Sequence, residues 1–317
     1  MTTRDILVVV NEHAGGGQMA DVFRRLEHPL HDLLGPFDLA FTDRTGHAID
    51  IVRQALAAGG RKLVLAAGGD GTLNEVVNGF FDATTGERLS PATKLAVIAG
   101  GTGGDFRKTV RIGSPDATLA ALRGGRTMKV DVGHLVARAP DGGELRRHFI
   151  NIASFGLAGL VDRVIPEFKA WGGKLGYYGA MLKSLWSWKN PRVVVTLDGA
   201  PLPPQPILNV AVANGRDFGG GMMVAPDARL DSGHFEVTVI GDFGRLELLV
   251  LTRAIYAGEH VYHPKVKTRR ALEVVAEPVA GPDGVVPEIY LDIDGEPLGM
   301  LPARFTIKPG AIELIVP

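Results

Sequence analysis

The sequence contains no cysteine. Disulfides, thiolate metal sites and a cysteine nucleophile are therefore excluded, and the composition fits a reducing compartment. No apolar run approaches the roughly 20 residues that a membrane-spanning helix needs. The short run Ile6 to Val10 follows Asp5 and reads as a first strand, not as a signal peptide. The expectation is a cytoplasmic protein, with peripheral membrane association left open. Charge of one sign is also missing. There are 34 Lys and Arg against 35 Asp and Glu, a formal net charge of -1. No global field drives such a chain onto nucleic acid or an anionic membrane, so nucleic acid is not expected as a partner and any membrane contact needs a local patch. Internal repeats and low-complexity segments are absent. What is present is a globular composition, 45% hydrophobic and 22% charged, which speaks against disorder. A chain of 317 residues suggests two domains.

The first part alternates strand and helix. Continuous apolar runs at 6–10 and 63–66 have the pattern of strands buried on both faces, and 37–41 and 94–99 are two further strands. Met19, Val22, Phe23, Leu26, Leu30, Leu33 and Leu34 recur at helical spacing, with Pro29 predicted to bend or split that helix. Ala48, Ile51, Val52, Ala55 and Leu56 form a second helical stripe, stopped by Gly59 and Gly60. This alternation implies a mainly parallel sheet covered by helices, an α/β domain. After about residue 130, strand-like runs dominate: 192–197, 207–212, 235–240, 272–276, 288–293 and 304–307. They predict a mainly antiparallel β-sandwich interrupted by helices near 174–188 and 243–257. Prolines 201, 203, 204 and 206 suggest a rigid connection. The expected domains are 1–133 and 134–299.

The most informative segment runs from Leu63 through Gly68-Gly69-Asp70-Gly71-Thr72-Leu73-Asn74-Glu75 to Gly79. A buried strand enters a turn with three glycines in four residues, and a helix follows, with Thr72 to Glu75 read as a capping box. Glycines let a ligand approach the backbone, and a helix N-terminus offers unpaired N–H groups, so the segment suits a phosphate. A carboxylate such as Asp70 beside phosphates implies a bridging divalent cation, Mg2+. The segment is neither the dinucleotide fingerprint nor the P-loop.

GGDGTLNEVVNG closely resembles the signature of the diacylglycerol kinase catalytic-domain superfamily, which includes bacterial lipid kinases and sphingosine kinases. Other segments match in order. Asn11 with Ala14 to Gly17 resembles the first nucleotide loop, with Glu12 where the family has Pro and Gln18 where it has a basic residue. Thr42 is similar to the family threonine near the nucleotide. Gly100 to Phe106 resembles Pro-x-Gly-Thr-x-Asn-Asp-Phe, with Thr102 and Asp105 matching and Gly104 standing for the Asn. Asp131-Val132-Gly133 matches Asp-x-Gly. Asn214-Gly215, Phe218 to Met222 and Ala225-Pro226 resemble the second-domain loop. Ser232 replaces a carboxylate of that domain's structural Mg2+ site, while Asp231 is kept. Asp292-Ile293-Asp294-Gly295-Glu296 matches Asp-Gly-Glu, although on its own it reads as a hairpin turn.

The resemblance covers nearly the whole chain. It implies a first domain like those of NAD kinase and phosphofructokinase, a β-sandwich second domain, an active site in the cleft between them, and a tail from about residue 300 that returns to the first domain. It implies ATP and Mg2+ as cofactors and a lipid alcohol, such as diacylglycerol or a sphingoid base, as acceptor. Asn11, Thr42, Gly68, Gly69, Asp70, Gly71, Thr72, Asn74, Glu75, Gly101, Thr102 and Asp105 would surround the nucleotide. Asp70, Asp105, Asp131 and Asp231 would serve metals. Glu296 would be the catalytic base, with Asp70 and Lys174 as further catalytic groups, though Lys174 reads equally as a solvated helix lysine. Trp171, Trp186 and Trp188, with Lys169, Lys174, Lys183 and Lys189, suggest a helix that rests transiently on a membrane surface. The alternative is a helix packing on its own sandwich. Two rival readings stand beside the lipid kinase: a degenerate lipid- or nucleotide-binding protein, and a soluble kinase resembling NAD kinase. A monomer and a homodimer are both compatible with the sequence.

Overall fold

The computed structural model describes residues 5–100, 104–171, 173–245 and 247–317. The chain divides into two compact units, Met1–Val132 with Pro309–Pro317, and Gly133–Lys308. The elements of the first unit are, in chain order, β1 Ile6–Val10, α1 Gln18–Leu34, β2 Asp38–Phe41, α2 His47–Ala57, β3 Leu63–Ala67, α3 Asp70–Gly79, β4 Lys94–Ile98, α4 Asp105–Thr109 and α5 Pro115–Gly124. All pairings in the order β2-β1-β3-β4 are parallel. Glu313 and Leu314 add a further parallel pairing beside β4. Parallel pairing buries both faces, which is why these strands are apolar throughout. On one face, Phe23, Leu26 and Leu30 of α1 pack with Leu119 and Leu122 of α5 against Val8, Leu65 and Ile98. On the other, α2 lies against β1 and α3 against β3. The two helices approach so closely that a Cβ on Gly79 would stand 2.5 Å from the Val52 Cβ.

Chain order and sheet order diverge at β1. From β1 the chain moves outward to β2, then returns to the other side for β3 and β4. The carboxyl ends of β1 and β3 therefore flank a topological switch point, where open α/β sheets hold ligands.

The remaining elements are β5 Thr127–Arg138, β6 Glu144–Phe149, β7 Ile152–Gly156, α6 Leu157–Val164, a 3-10 segment Ile165–Trp171, α7 Gly173–Ser187, β8 Arg192–Leu197, β9 Ala200–Pro201, β10 Gln205–Pro206, β11 Asn209–Ala213, β12 Phe235–Ile240, α8 Glu247–Ala257, β13 Val266–Ala271, β14 Glu273–Pro278, β15 Leu291–Ile293 and β16 Met300–Ile315. In the second unit, β10-β8-β14 continues to the 303–306 stretch of β16, and β5 pairs β6. A second antiparallel sheet runs β13-β12-β11-β7-β15. The two inner faces meet through stacked rings: Phe149 on Phe235 at 5.6 Å, and Phe155 on Phe305 at 6.1 Å. The outer face of the second sheet is covered by Leu251 and Ile255 of α8.

Two local expectations are corrected, and the proline-rich connection is placed. Pro29 lies inside an unbroken α1. Its missing N–H costs one hydrogen bond, but the buried face formed by Met19, Phe23, Leu26 and Leu30 holds the helix together across it. The capping box at Thr72 does not form, because α3 begins two residues earlier, at Asp70, with Gly69 as N-cap and no side-chain cap. The prolines at 201 and 206 lie within the two-residue strands β9 and β10.

Candidate functional site

In the first unit, the candidate residues gather at the carboxyl ends of the parallel strands. Asn11 follows β1 and its N–H donates to Ala67 O of β3 at 2.9 Å, while the Thr42 N–H donates to Val10 O at 2.9 Å. The Asn11 amide donates to Thr72 Oγ1 at 3.0 Å, linking the β1 loop to the first turn of α3 across the switch point.

The two glycines of the turn are required for different reasons. A Cβ on Gly68 would stand 2.4 Å from Thr72 Oγ1, so the helix's own first turn excludes a side chain there. A Cβ on Gly69 would meet nothing within 4 Å, and its φ of -87° suits any residue. The approach to Gly69 is thus open. The N–H groups of Gly71 and Thr72 fall in the first turn of the ten-residue α3, where they have no intrahelical acceptor.

Asp70 is largely enclosed, and burial pushes its carboxyl above the usual range. The Asp105 N–H donates to Asp70 Oδ2 at 3.0 Å and, with the nearby Arg107 guanidinium, acts in the opposite direction. Asp105 is itself buried, and its Oδ1 pairs with Lys108 at 2.7 Å. Two enclosed carboxylates at the end of a sheet fit Mg2+, which takes one or two carboxylates together with substrate phosphates and needs no all-protein cage. Among the described residues no group of three acids or histidines forms such a cage. Gly101 and Thr102 lie outside the described residues.

Other predicted residues serve the fold. Glu75 spans to the neighbouring helix: Oε1 accepts from Gly46 N at 2.6 Å and Oε2 from Ala48 N at 3.1 Å. It caps α2, whose N-cap Gly46 has no side chain of its own. The Asn74 Oδ1 accepts from the Asn78 amide at 3.0 Å within α3. Asp131 Oδ1 accepts from Gly310 N at 2.7 Å, fastening the returning tail. In the second unit, Asp231 pairs with Arg229 at 3.3 Å, and Ser232 Oγ donates to His234 O at 2.9 Å. The metal expected at Asp231 therefore finds no acid or histidine set among the described residues.

The second unit also gathers candidates at one end of its β11-β7-β15 strands. Ile293 to Glu296 is a two-residue hairpin, with φ of 52° at Asp294 and 88° at Gly295. Both central residues are left-handed, as a type I′ turn requires, which explains Asp-Gly there. Backbone bonds of 2.9 and 3.0 Å between Ile293 and Glu296 close it. Asp294 is buried and accepts from the N–H groups of Ile150, Asn151 and Ile152 at 2.9 to 3.0 Å. It fixes the turn, leaving half-buried Glu296 at its end. The Asn214 amide donates to Ile150 O at 2.8 Å, bringing the Asn214-Gly215 loop to the same place.

Sequence reasoning did not single out Asp162, nor its pairing with Asp292 at the head of the Asp-Gly-Glu segment. Their carboxyls share a hydrogen bond, and Asp292 also accepts from Gly295 N at 2.8 Å. Burial, then the charge of Asp162, pushes Asp292 well up, and burial raises Asp162 to about 7. Asp162 belongs to α6, whose Gly159 packs so closely that a Cβ would stand 2.3 Å from Tyr290 O. A lone Asp in an amphipathic helix gives no sequence signal of such a partner.

The helix expected to meet a membrane is α7. Leu175, Leu182 and Trp186 are 67%, 65% and 78% exposed, and spacings of seven and four place them on one face. Arg245 lies over the Trp186 ring at 5.3 Å. Trp188 does not share this face: it packs against the cluster under α8 and donates to Asn190 Oδ1 at 2.9 Å. Lys174 lies in α7, and its side chain, like those of Trp171 and Lys169, lies outside the described residues. No described helix is long and apolar enough to cross a membrane.

These features have counterparts in known proteins. A family model described as the diacylglycerol kinase catalytic domain matches residues 5–135, and one described as the YegS C-terminal NAD kinase beta sandwich-like domain matches residues 151–316. A diacylglycerol kinase of Staphylococcus carnosus is 30% identical over 260 residues, covering 81% of this chain and 77% of its own. One of Staphylococcus haemolyticus is 29% identical over 278 residues, covering 87% and 77%. Two solved structures show likeness of fold. A diacylglycerol kinase from Bacillus anthracis has a TM-score of 0.70 at 20% identity, with 100% of this chain and 98% of that one covered. Yeast NADH kinase complexed with NADH has a TM-score of 0.56 at 10% identity, with 100% and 84% covered.

Proposed function

The chain belongs to the diacylglycerol kinase family and is a lipid kinase, and from that premise we propose that it moves the γ-phosphate of ATP onto the hydroxyl of a lipid alcohol such as diacylglycerol or a sphingoid base. The observation that carries the nucleotide half is the glycine turn between β3 and α3. It joins an unobstructed Gly69, the N–H groups of a ten-residue helix and an enclosed acid at the topological switch point.

Phosphoryl transfer is mainly positioning and neutralisation of charge. The N–H groups at Gly71 and Thr72 bind phosphate oxygens, and the Asn11 amide holds Thr72 in place. Asp70 and Asp105 would hold Mg2+, which would supply charge neutralisation to the nucleotide phosphates. Asp131 and Asp231 are engaged elsewhere and are left out of that set. Glu296, at the end of a turn locked by Asp294, accepts the proton of the acceptor hydroxyl. Lys174 offers positive charge to the transferring group. The exposed α7 face, with Arg245 over Trp186, seats the protein at a headgroup layer. Transfer of labelled phosphate from ATP to lipid alcohols in mixed micelles tests this reading directly. A folded protein that phosphorylates no lipid alcohol contradicts it.

A further inference from the structure

Asp70 and Asp105 place two negative charges where a polyphosphate is to bind, and a fixed side-chain cation beside them would ease the repulsion that a divalent ion alone leaves. The first glycine loop offers none, since Glu12 and His13 are the only ionisable residues between Asn11 and Gln18. Lys108 is paired with Asp105 at 2.7 Å. Arg107 is only 9% exposed: burial weakens its hold on its proton, and the nearby carboxylates, Asp70 ahead of Asp105, act the other way and keep it charged. Its side chain folds back over Gly104. A Cβ on Gly104 would stand 2.2 Å from Arg107 Nε and 2.6 Å from Nη2. Gly104 has φ of 115°, a conformation that other residues rarely adopt. The volume that a side chain at position 104 would take is filled by the Arg107 guanidinium.

We propose that Arg107 is the polyphosphate-recognising cation of this chain, seated beside Asp70 in the space that Gly104 leaves free. The assignment rests on the nucleotide reading above. Its consequence is graded. Each phosphate adds negative charge near Asp70, so removing Arg107 costs most for the ligand with most phosphates. A purely structural role would weaken every nucleoside ligand alike.

The test is calorimetric titration of ATP, ADP, AMP and adenosine with Mg2+ into the full chain, comparing wild type with Arg107→Met and Arg107→Lys. Arg107→Met is expected to weaken ATP about tenfold or more, ADP less, and adenosine not at all, as loss of one charge-assisted contact implies. Arg107→Lys keeps the charge on a different reach. It is expected to show the same order with smaller losses, and it gives the answer where Arg107→Met does not fold. No loss in either variant, or an equal loss for all four ligands, overturns the assignment and leaves the nucleotide reading standing. A wild type that binds no ATP overturns that reading and this assignment with it.

Discussion

Gly68 and Gly69 are neighbours in sequence with opposite requirements. A methyl on Gly68 meets Thr72 at 2.4 Å and pushes on the first turn of α3. Gly68→Ala is therefore expected to lose about 1–3 kcal/mol of stability, the usual cost of overpacking. Gly69→Ala meets nothing, so its melting temperature should equal that of wild type while its ATP affinity falls, because the methyl occupies the ligand's approach. Melting curves and nucleotide titrations on both variants check this. Unchanged affinity in Gly69→Ala would mean that no ligand approaches there. The Asp162–Asp292 pair makes a second residue-scale prediction. Both carboxyls are raised by burial, Asp162 to about 7, against about 3.9 in an unfolded chain. The folded state then holds more protons than the unfolded state between those values, so the pair's contribution is present at low pH and lost as pH rises through about 7. Asp162→Asn should gain on wild type in melting temperature from pH 5 upward, the gain levelling off above about pH 7. A difference independent of pH would contradict the shared proton.

Elements show where pattern reading succeeds and where it stops. The strands β1, β3, β8 and β12 were visible as apolar runs because burial on one or both faces writes itself into residue type. The start of α3 was misplaced because Thr72 and Glu75 have capping-box spacing, yet Glu75 bonds Gly46 and Ala48 of another helix. Spacing along one chain cannot reveal a partner 29 residues away. Tryptophan count misled in the same way at α7. Trp186 faces outward while Trp188 packs inward, since the helix ends at Ser187 and the next residue turns toward the sandwich. The prediction follows from exposure. Leu182→Ala with Trp186→Ala should reduce sedimentation with anionic vesicles several-fold at unchanged melting temperature, since both side chains are solvent-exposed before binding. Equal sedimentation would remove α7 from membrane contact.

For the molecule as a whole, the division of labour was legible before the structure: strand–helix alternation gives the parallel first unit, and closely spaced short strands give the sandwich. The Gly68 to Thr72 turn was legible too, because glycines, an acid and a helix start are local features. Asp162 was not, nor were the bonding roles of Asp292 and Asp294, because each depends on backbone or side chains far away in sequence. Arg107 was hidden by its commonness; only the missing side chain at Gly104 and the enclosure of Asp70 give it meaning. The central claim is that Asp70 and Glu296 are both needed for phosphoryl transfer to a lipid. The most direct measurement is ATP-dependent phosphorylation of a panel of lipid alcohols in mixed micelles with Mg2+, using wild type, Asp70→Asn and Glu296→Gln. The account predicts a phosphorylated lipid from wild type and a loss of about a hundredfold or more in each variant, with all three folded. Undiminished turnover in either variant, or no product from folded wild type on any acceptor, would contradict it.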